Sequence, residues 1–122
     1  MIAADTSSLI SYLNGETGRL MSLLHKSVLE QTLWLPPPVV TELRTGEPET
    51  LLEQILSDAP MLDIRDGYWE RAGYARRTLR RRKFNARTVD ALVAQCCIDA
   101  DVPLIALDTD FRHYVEFGLK LA

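Results

Sequence analysis

The sequence predicts an α/β fold, a three-layer sandwich in which helices flank a central, mainly parallel sheet of about five short strands. Short apolar segments alternate along the chain with longer stretches of helical periodicity. The connections between these apolar segments are too long for hairpins, as parallel pairing requires. The 122 residues, 47% hydrophobic and 25% charged, suit one globular domain over residues 1–122.

The first part of the chain predicts two strands separated by two helices. The apolar segment 1–4, MIAA, is a short strand that stops at Asp5. Thr6 is placed to cap the next helix, which an Asn-Gly pair terminates. Residues 16–31 carry leucines at helical spacing and predict the second helix. TLWL, at 32–35, is the second strand.

The middle of the chain predicts three helices and one strand. Residues 37–46 begin with prolines, which suit a first helical turn, and end in glycine. Residues 48–59 form an amphipathic helix, and MLDI at 61–64 is a short strand. Residues 66–83 predict a helix that starts at an acid and ends in cations, which complements the helix dipole.

The last part of the chain returns to the sheet. A helix is predicted over 87–101, followed by the apolar strand VPLIAL at 102–107. Residues 110–118 predict a short helix or turn, and LKLA at 119–122 predicts a final edge strand. Ligands of such sheets bind beyond the carboxyl ends of the strands, so the site is expected there.

Several functional classes are disfavoured. The longest apolar runs are far shorter than the roughly 20 residues that cross a bilayer, and the N-terminus lacks the basic region of a secretion signal. Cys96 and Cys97 are adjacent in an apolar stretch, which is typical of reduced core residues in a cytoplasmic protein. A zinc site is not indicated, since His25 and His113 are distant in sequence.

The charge distribution is uneven. A net charge of −3 argues against attraction of the whole protein to nucleic acid. The segment Arg76–Arg87, however, carries seven cations and no acid. This basic segment is either a solvated helix face or a surface for phosphate or an acidic partner. The candidate contact residues are Arg80, Arg81, Arg82, Lys83 and Arg87.

Two acids directly follow predicted strands. Asp5 ends the first strand and Asp108 ends the strand VPLIAL. If both strands are central and parallel, the two carboxylates emerge at the same edge of the sheet. Carboxylates that lie side by side repel each other, and a divalent cation between them relieves the repulsion. Asp110, one residue beyond Asp108, is either an auxiliary group of this site or the cap of the next turn.

Two further acids adjoin apolar helix positions. Glu42 in VVTEL and Asp90 in RTVDALVAQ sit beside core-facing residues, where an unpaired acid is costly. Both are read as lying near helix N-termini, so the alternative is that they only stabilise the helix dipole. Donor groups that are all oxygen suit Mg²⁺ or Mn²⁺, as one ion or two, acting on a phosphodiester. Thr6 and Ser7 are auxiliary candidates that could hold a carboxylate or cap the helix.

These motifs together resemble one known family. DTSSLISYL, VVTEL and DALVAQCCIDADVPLIALDTDF, in this order and in a chain of this length, resemble the PIN-domain ribonucleases, and in particular the VapC-type toxins of toxin–antitoxin pairs. The resemblance covers essentially the whole chain. It implies a parallel sheet flanked by helices and an acidic Mg²⁺ or Mn²⁺ pocket that cleaves RNA.

The resemblance also implies roles for the residues. The catalytic acids of the family fall on Asp5, Glu42, Asp90 and Asp108. Of these, Asp5, Asp90 and Asp108 would hold metal, and Asp110 would be auxiliary. The strand before Asp108 ends in Ile-Ala-Leu, where many relatives carry a hydroxyl or basic residue, and this departure bears on the choice between Asp108 and Asp110. The implied partners are a small VapB-type antitoxin, RNA and a second copy in a homodimer.

Two other functions remain open from the residues. A non-catalytic PIN-like module would hold RNA or protein through the basic segment. A phosphatase would use Asp5 as nucleophile, but such enzymes carry a second acid two residues further on, where this chain has Ser7.

Overall fold

A parallel sheet forms the centre of the molecule. The computed structural model describes all residues, 1–122. Strands β1 (Ile2–Ala4), β2 (Leu33–Trp34) and β3 (Leu104–Ile105) pair in the order β2–β1–β3, and both pairings are parallel. The central strand β1 therefore has both of its edges covered. The predicted α/β class with a parallel sheet is confirmed.

The two outermost predicted strands are reduced to single bridges. Met61 pairs with Leu35, and Leu121 pairs with Leu104, both in parallel orientation. The sheet thus reaches the predicted five segments only when these bridges are included. The ladder beside β2 stops early because Pro37, the next residue after Leu35 that would face this edge, has no N–H to donate and begins α3.

Helices cover both faces of the sheet. Neighbouring residues of a strand point to opposite faces, and Ala3 and Ala4 are both fully buried. The helices are α1 (Thr6–Leu13), α2 (Arg19–Leu29), α3 (Pro37–Thr45), α4 (Thr50–Asp58), α5 (Tyr68–Arg81), α6 (Thr88–Ala100) and a C-terminal 3-10 helix (Thr109–Phe117). The predicted helices are all present, and their ends shift by a few residues.

Packing among the helices fixes the edge of the sheet where the strands end. Helix α1 packs on α2, α5 packs on α6 and on the 3-10 helix, and α3 contacts both α1 and α6. A single cluster of 27 buried residues forms the core. Cys96 and Cys97 belong to it as free, buried thiols. None of the helices has an apolar stretch long enough to span a bilayer.

Candidate active site

A cavity of about 300 Å³ opens at the carboxyl edge of the sheet, beyond the ends of β1 and β3. The four acids that the sequence singled out come from four separate segments and all line this cavity. Its charged lining residues are Asp5, Glu42, Arg87, Asp90 and Asp108. We call this cavity the acidic pocket.

Asp5 is the most buried of these acids. It ends β1, is 4% exposed and forms the N-cap of α1. Its Oδ1 accepts the Ser8 backbone N–H at 3.0 Å, and its Oδ2 accepts the Ser7 hydroxyl at 2.9 Å. Burial raises the pKa of Asp5, while these hydrogen bonds act in the opposite direction. The sequence assigned the cap to Thr6, and that assignment is wrong, since Thr6 is the first helical residue.

Thr6 instead connects two parts of the pocket. Its hydroxyl donates to Oε1 of Glu42, on α3. Glu42 is exposed and lies in the second half of α3, so its prediction as a helix-start acid beside the core is wrong. The dipole explanation therefore does not apply to Glu42. Its placement in the acidic pocket comes from the contact between α1 and α3.

The surroundings of Asp90 disfavour the charged form of its side chain. It lies in the first turn of α6, as predicted, and its side chain is 20% exposed. Desolvation raises the pKa of Asp90 to about 6. The charges of Asp108, Asp5 and Glu42 act in the same direction, and the Arg87 guanidinium opposes them. Burial and the neighbouring carboxylates therefore disfavour a negative charge on Asp90 when no cation is bound.

The two acids at the end of β3 have different positions. Asp108 lines the acidic pocket, whereas Asp110 does not. Oδ1 of Asp108 accepts the Asp110 backbone N–H at 2.9 Å and caps the 3-10 helix, so the cap predicted for Asp110 belongs to Asp108. Oδ2 of Asp110 accepts the side-chain amide of Asn85 at 2.9 Å. Asp110 thus ties the loop between α5 and α6 to the end of β3.

Arg87 supplies the positive charge of the pocket. Its Nε lies 3.7 Å from Oδ2 of Asp90, and its Nη2 lies 3.9 Å from Oδ2 of Asp108. Both distances are too long for hydrogen bonds, and the Arg87 side chain is 70% exposed. The guanidinium is therefore a solvent-exposed counter-charge that partly offsets the repulsion between these acids.

The donor set fits a hard divalent cation. No group of three or more His, Cys, Asp or Glu residues is arranged to hold an ion as the side chains stand. Mg²⁺, however, keeps several waters and is typically bound by one or two carboxylates together with substrate phosphate. The charged groups here that can bind a cation are all carboxylates. Burial is the main cause of the raised pKa of Asp90, repulsion from the other acids adds to it, and a bound cation would relieve that repulsion.

Ser8 is a positioning residue that the sequence interpretation did not identify. Fully buried in α1, it joins that helix to the end of β3. Its hydroxyl donates to the Ile105 carbonyl at 3.3 Å and accepts the Leu107 N–H at 3.1 Å. Its own N–H holds Asp5. A serine in the first helical turn predicts capping, but nothing local indicates a partner about a hundred residues away.

Replacing Ser8 with alanine is expected to destabilise the protein by about 1–3 kcal/mol, because the hydroxyl's two hydrogen bonds, to the Ile105 carbonyl and from the Leu107 N–H, are both lost. Urea unfolding measures this loss. Ser11→Ala, in the same helix and without a side-chain hydrogen bond, is the matched control. Equal free energies of unfolding for the two variants would contradict the positioning role.

The cations of the basic segment make different contacts. Nε of Arg76 donates to the Ala86 carbonyl at 2.8 Å and holds the loop, and Arg82 pairs with Glu116. Arg87 enters the acidic pocket. The other candidate contacts are exposed and form no ion pair: Arg80, Arg81 and Lys83.

A second cavity, of about 320 Å³, is predominantly apolar. It lies between α2, α4 and the start of β2, and the Tyr12 hydroxyl and His25 Nδ1 hydrogen-bond there at 2.6 Å. Its lining contains one acid, Asp58, so it lacks the convergent charge of the acidic pocket. The chemistry therefore places the candidate active site in the smaller cavity.

Fold and site together define an α/β domain whose parallel sheet ends in a carboxylate-lined pocket. The sequence matches the PIN domain family model over residues 2–116, nearly the whole chain. The chain belongs to the PIN domain family. Comparison with curated proteins gives no significant match.

Solved structures share the fold along almost the full length of the chain. One chain of VapBC2 from Rickettsia felis, bound to a DNA fragment from its promoter, matches with TM-score 0.75 and 17% identity. The alignment covers 100% of the present chain and 98% of the VapBC2 chain. FitAcB from Neisseria gonorrhoeae gives TM-score 0.70, 14% identity and coverages of 99% and 96%. VapBC-5 from Mycobacterium tuberculosis, a member of the VapBC family of toxin–antitoxin systems, gives TM-score 0.62 and 17% identity, with coverages of 99% of this chain and 98% of the other.

Proposed function

We propose that this PIN domain is a Mg²⁺- or Mn²⁺-dependent endoribonuclease, the toxin of a toxin–antitoxin pair acting in the cytoplasm. The observation that carries the proposal is the convergence of four acids, from four segments of the chain, on one pocket at the carboxyl edge of the sheet. The structural similarity to chains of VapBC assemblies supports the assignment to a toxin.

We assign each acid of the pocket a role in hydrolysis. Asp5, Asp90 and Asp108 would hold the metal, directly or through water. When bound, the metal polarises the scissile phosphate and lowers the pKa of the attacking water. Glu42, held by the Thr6 hydroxyl, orients the water. Both oxygens of the Asp5 carboxylate already accept one hydrogen bond, and each keeps a lone pair for a ligand.

Cleavage of RNA by the purified protein tests the proposal. We expect phosphodiester hydrolysis of structured and single-stranded RNAs with Mg²⁺ or Mn²⁺, and complete loss of hydrolysis with EDTA. Cleavage that survives chelation would overturn the metal mechanism. Retained RNA binding without cleavage under any metal condition would instead favour the alternative, a non-catalytic binding module.

Arg87 is expected to compete with the metal for the acids. Arg87→Ala should bind Mn²⁺ about two- to fivefold more tightly, since it removes roughly 1 kcal/mol of solvent-screened repulsion between two cations. Calorimetry with Mn²⁺ alone, without RNA, measures the affinity. Lys120→Ala removes the same charge beside Asp101, which precedes β3 at the opposite edge of the sheet, and should leave the affinity unchanged. Weaker Mn²⁺ binding by Arg87→Ala would show that the arginine supports the site.

The proposed partners are a small VapB-type antitoxin and a second copy of the chain. An antitoxin that carries a basic side chain would find compensating charge in the acidic pocket. The apolar second cavity offers a separate contact surface near the amino end of β2. Co-expression with the protein encoded by an adjacent small gene should relieve growth arrest and yield a stable complex. Sedimentation of the isolated chain tests the homodimer.

A further inference from the structure

An exposed aromatic residue, Phe84, lies on the loop between α5 and α6 and contacts His113 of the 3-10 helix. The Phe84 ring is 41% exposed and stacks on His113, with ring centroids 4.1 Å apart and an interplanar angle of 14°. Phe84 does not belong to the hydrophobic core cluster. The two residues are 29 positions apart, so folding alone brings them together. Burial in the core therefore does not account for this ring.

The loop holds the Phe84 ring in a defined place. The Phe84 N–H donates to the Leu79 carbonyl at 3.0 Å, and the Arg76 guanidinium donates to the Ala86 carbonyl at 2.8 Å. Lys83, immediately before the ring, has a positive φ of 67°. These contacts turn the chain sharply after α5 and present the ring outward. Hydrogen bonds therefore fix the backbone on both sides of this exposed ring.

The chain segment that carries the ring is rich in cations. Phe84 lies inside the basic segment, whose seven cations are not interrupted by an acid. Arg80, Arg81 and Lys83 precede it, are exposed and form no ion pair. Aromatic rings interleaved with unpaired cations suit single-stranded nucleic acid, because bases stack on the ring and phosphates meet the cations.

The aromatic pair adjoins the acidic pocket. Phe84 is three positions before Arg87, which lines the pocket, so their Cα atoms are at most about 11 Å apart. Asn85, next to the ring, donates to Asp110, and the Asp110 N–H donates to Asp108. A strand whose phosphate lies at the acids can therefore place a neighbouring base on the ring.

We propose that Phe84 and His113 form a stacking platform for a base of single-stranded RNA beside the phosphate that the acidic pocket holds. The stack with His113 uses one face of the Phe84 ring and supports it, and the exposed part receives the base. Its location beside a reacting phosphate rests on the proposed nuclease function. Stacking itself needs no metal and no cleavage.

Binding of a single-stranded RNA oligonucleotide in EDTA tests the platform. Fluorescence anisotropy should show that Phe84→Ala and Phe84→Leu bind about 5- to 100-fold more weakly than the wild type. Phe84→Tyr, which keeps a flat ring, should bind within about twofold of the wild type. Trp69→Ala removes another exposed aromatic residue at the far end of α5 and should leave affinity unchanged. 2-Aminopurine in the oligonucleotide should be quenched by the wild type and less by Phe84→Leu.

Phe84→Leu that binds and quenches like the wild type would overturn the platform. A shift of the Phe84→Leu variant from dimer to monomer in sedimentation, with RNA affinity unchanged, would assign the ring to a protein interface instead. Failure of the nuclease function has a different signature. In that case the wild type does not cleave with Mg²⁺ or Mn²⁺, while binding still depends on the ring.

Discussion

Asp5→Asn is expected to reduce RNA cleavage by at least about 100-fold while the protein stays folded. Removal of groups that merely support metal ligands already costs 10- to 100-fold. Asparagine keeps the shape of the side chain and is as good an N-cap as aspartate, so α1 retains its start. Because burial raises the pKa of Asp5, a neutral side chain is also tolerated there.

Initial rates of cleavage at saturating Mn²⁺, with thermal unfolding in parallel, measure this effect. Asp63→Asn changes an exposed acid that does not line the acidic pocket and should cleave like the wild type. A folded Asp5→Asn protein with wild-type cleavage rates would refute the proposed mechanism. If Asp5→Asn fails to fold, its loss of cleavage says nothing about the mechanism. Asp108→Asn, at the same edge of the sheet, then provides the test.

Asp90→Asn is expected to abolish cleavage and to stabilise the metal-free protein at pH 7. The pKa of Asp90 is raised to about 6, chiefly by desolvation, so its charged form is disfavoured in the fold. A rise from the ordinary value of 3.8 corresponds to about 1–3 kcal/mol at pH 7. The helix dipole favours the charged acid by about 0.3–1 kcal/mol and offsets part of this gain.

The pH dependence has a definite sign. Protonated Asp90 contributes its full stability below about pH 4, and this contribution is lost as the pH rises through about 6. Asparagine resembles the protonated acid at every pH. The variant should therefore match the wild type at pH 4 and exceed it at pH 7. Urea unfolding in EDTA at both pH values checks this, and a stability difference independent of pH would contradict it.

Protonation of Asp90 should also oppose metal binding. Metal ligands must be deprotonated, so the affinity of the wild type for Mn²⁺ is expected to fall as the pH drops below about 6. The charged Asp90 carboxylate thus destabilises the metal-free protein and is expected to increase its affinity for the metal. Such a conflict between stability and function is typical of active-site residues.

Much of the architecture could be predicted from local patterns. The period of apolar residues predicted each helix, and short apolar runs predicted the strands. The four acids stood out because two end strands and two adjoin apolar helix positions. Two helix caps were predicted on the wrong residue, because neighbouring polar side chains compete for the same free N–H groups. Asp5 and Asp108 each precede a residue that could also cap, and the cap goes to the side chain that reaches the free N–H groups.

Other features depended on distant segments. Glu42 seemed to belong to the start of its helix, yet it reaches the pocket from the second half of α3 through Thr6. The outer strand beside β2 shrank to a single bridge because Pro37, the next residue on that edge, has no N–H and begins α3.

By itself, then, the sequence determined the elements, their order and the acid that directly ends β1, because these follow from contacts between near neighbours in the chain. The strand before Asp108 ends earlier than predicted, at Ile105. Only the tertiary structure decided which groups meet. The Ser8 bridge to β3 and the stack of Phe84 on His113 join residues that are distant in sequence. Arg87 faces Asp108 for the same reason, since packing of α6 against the 3-10 helix, not any local periodicity, brings them together.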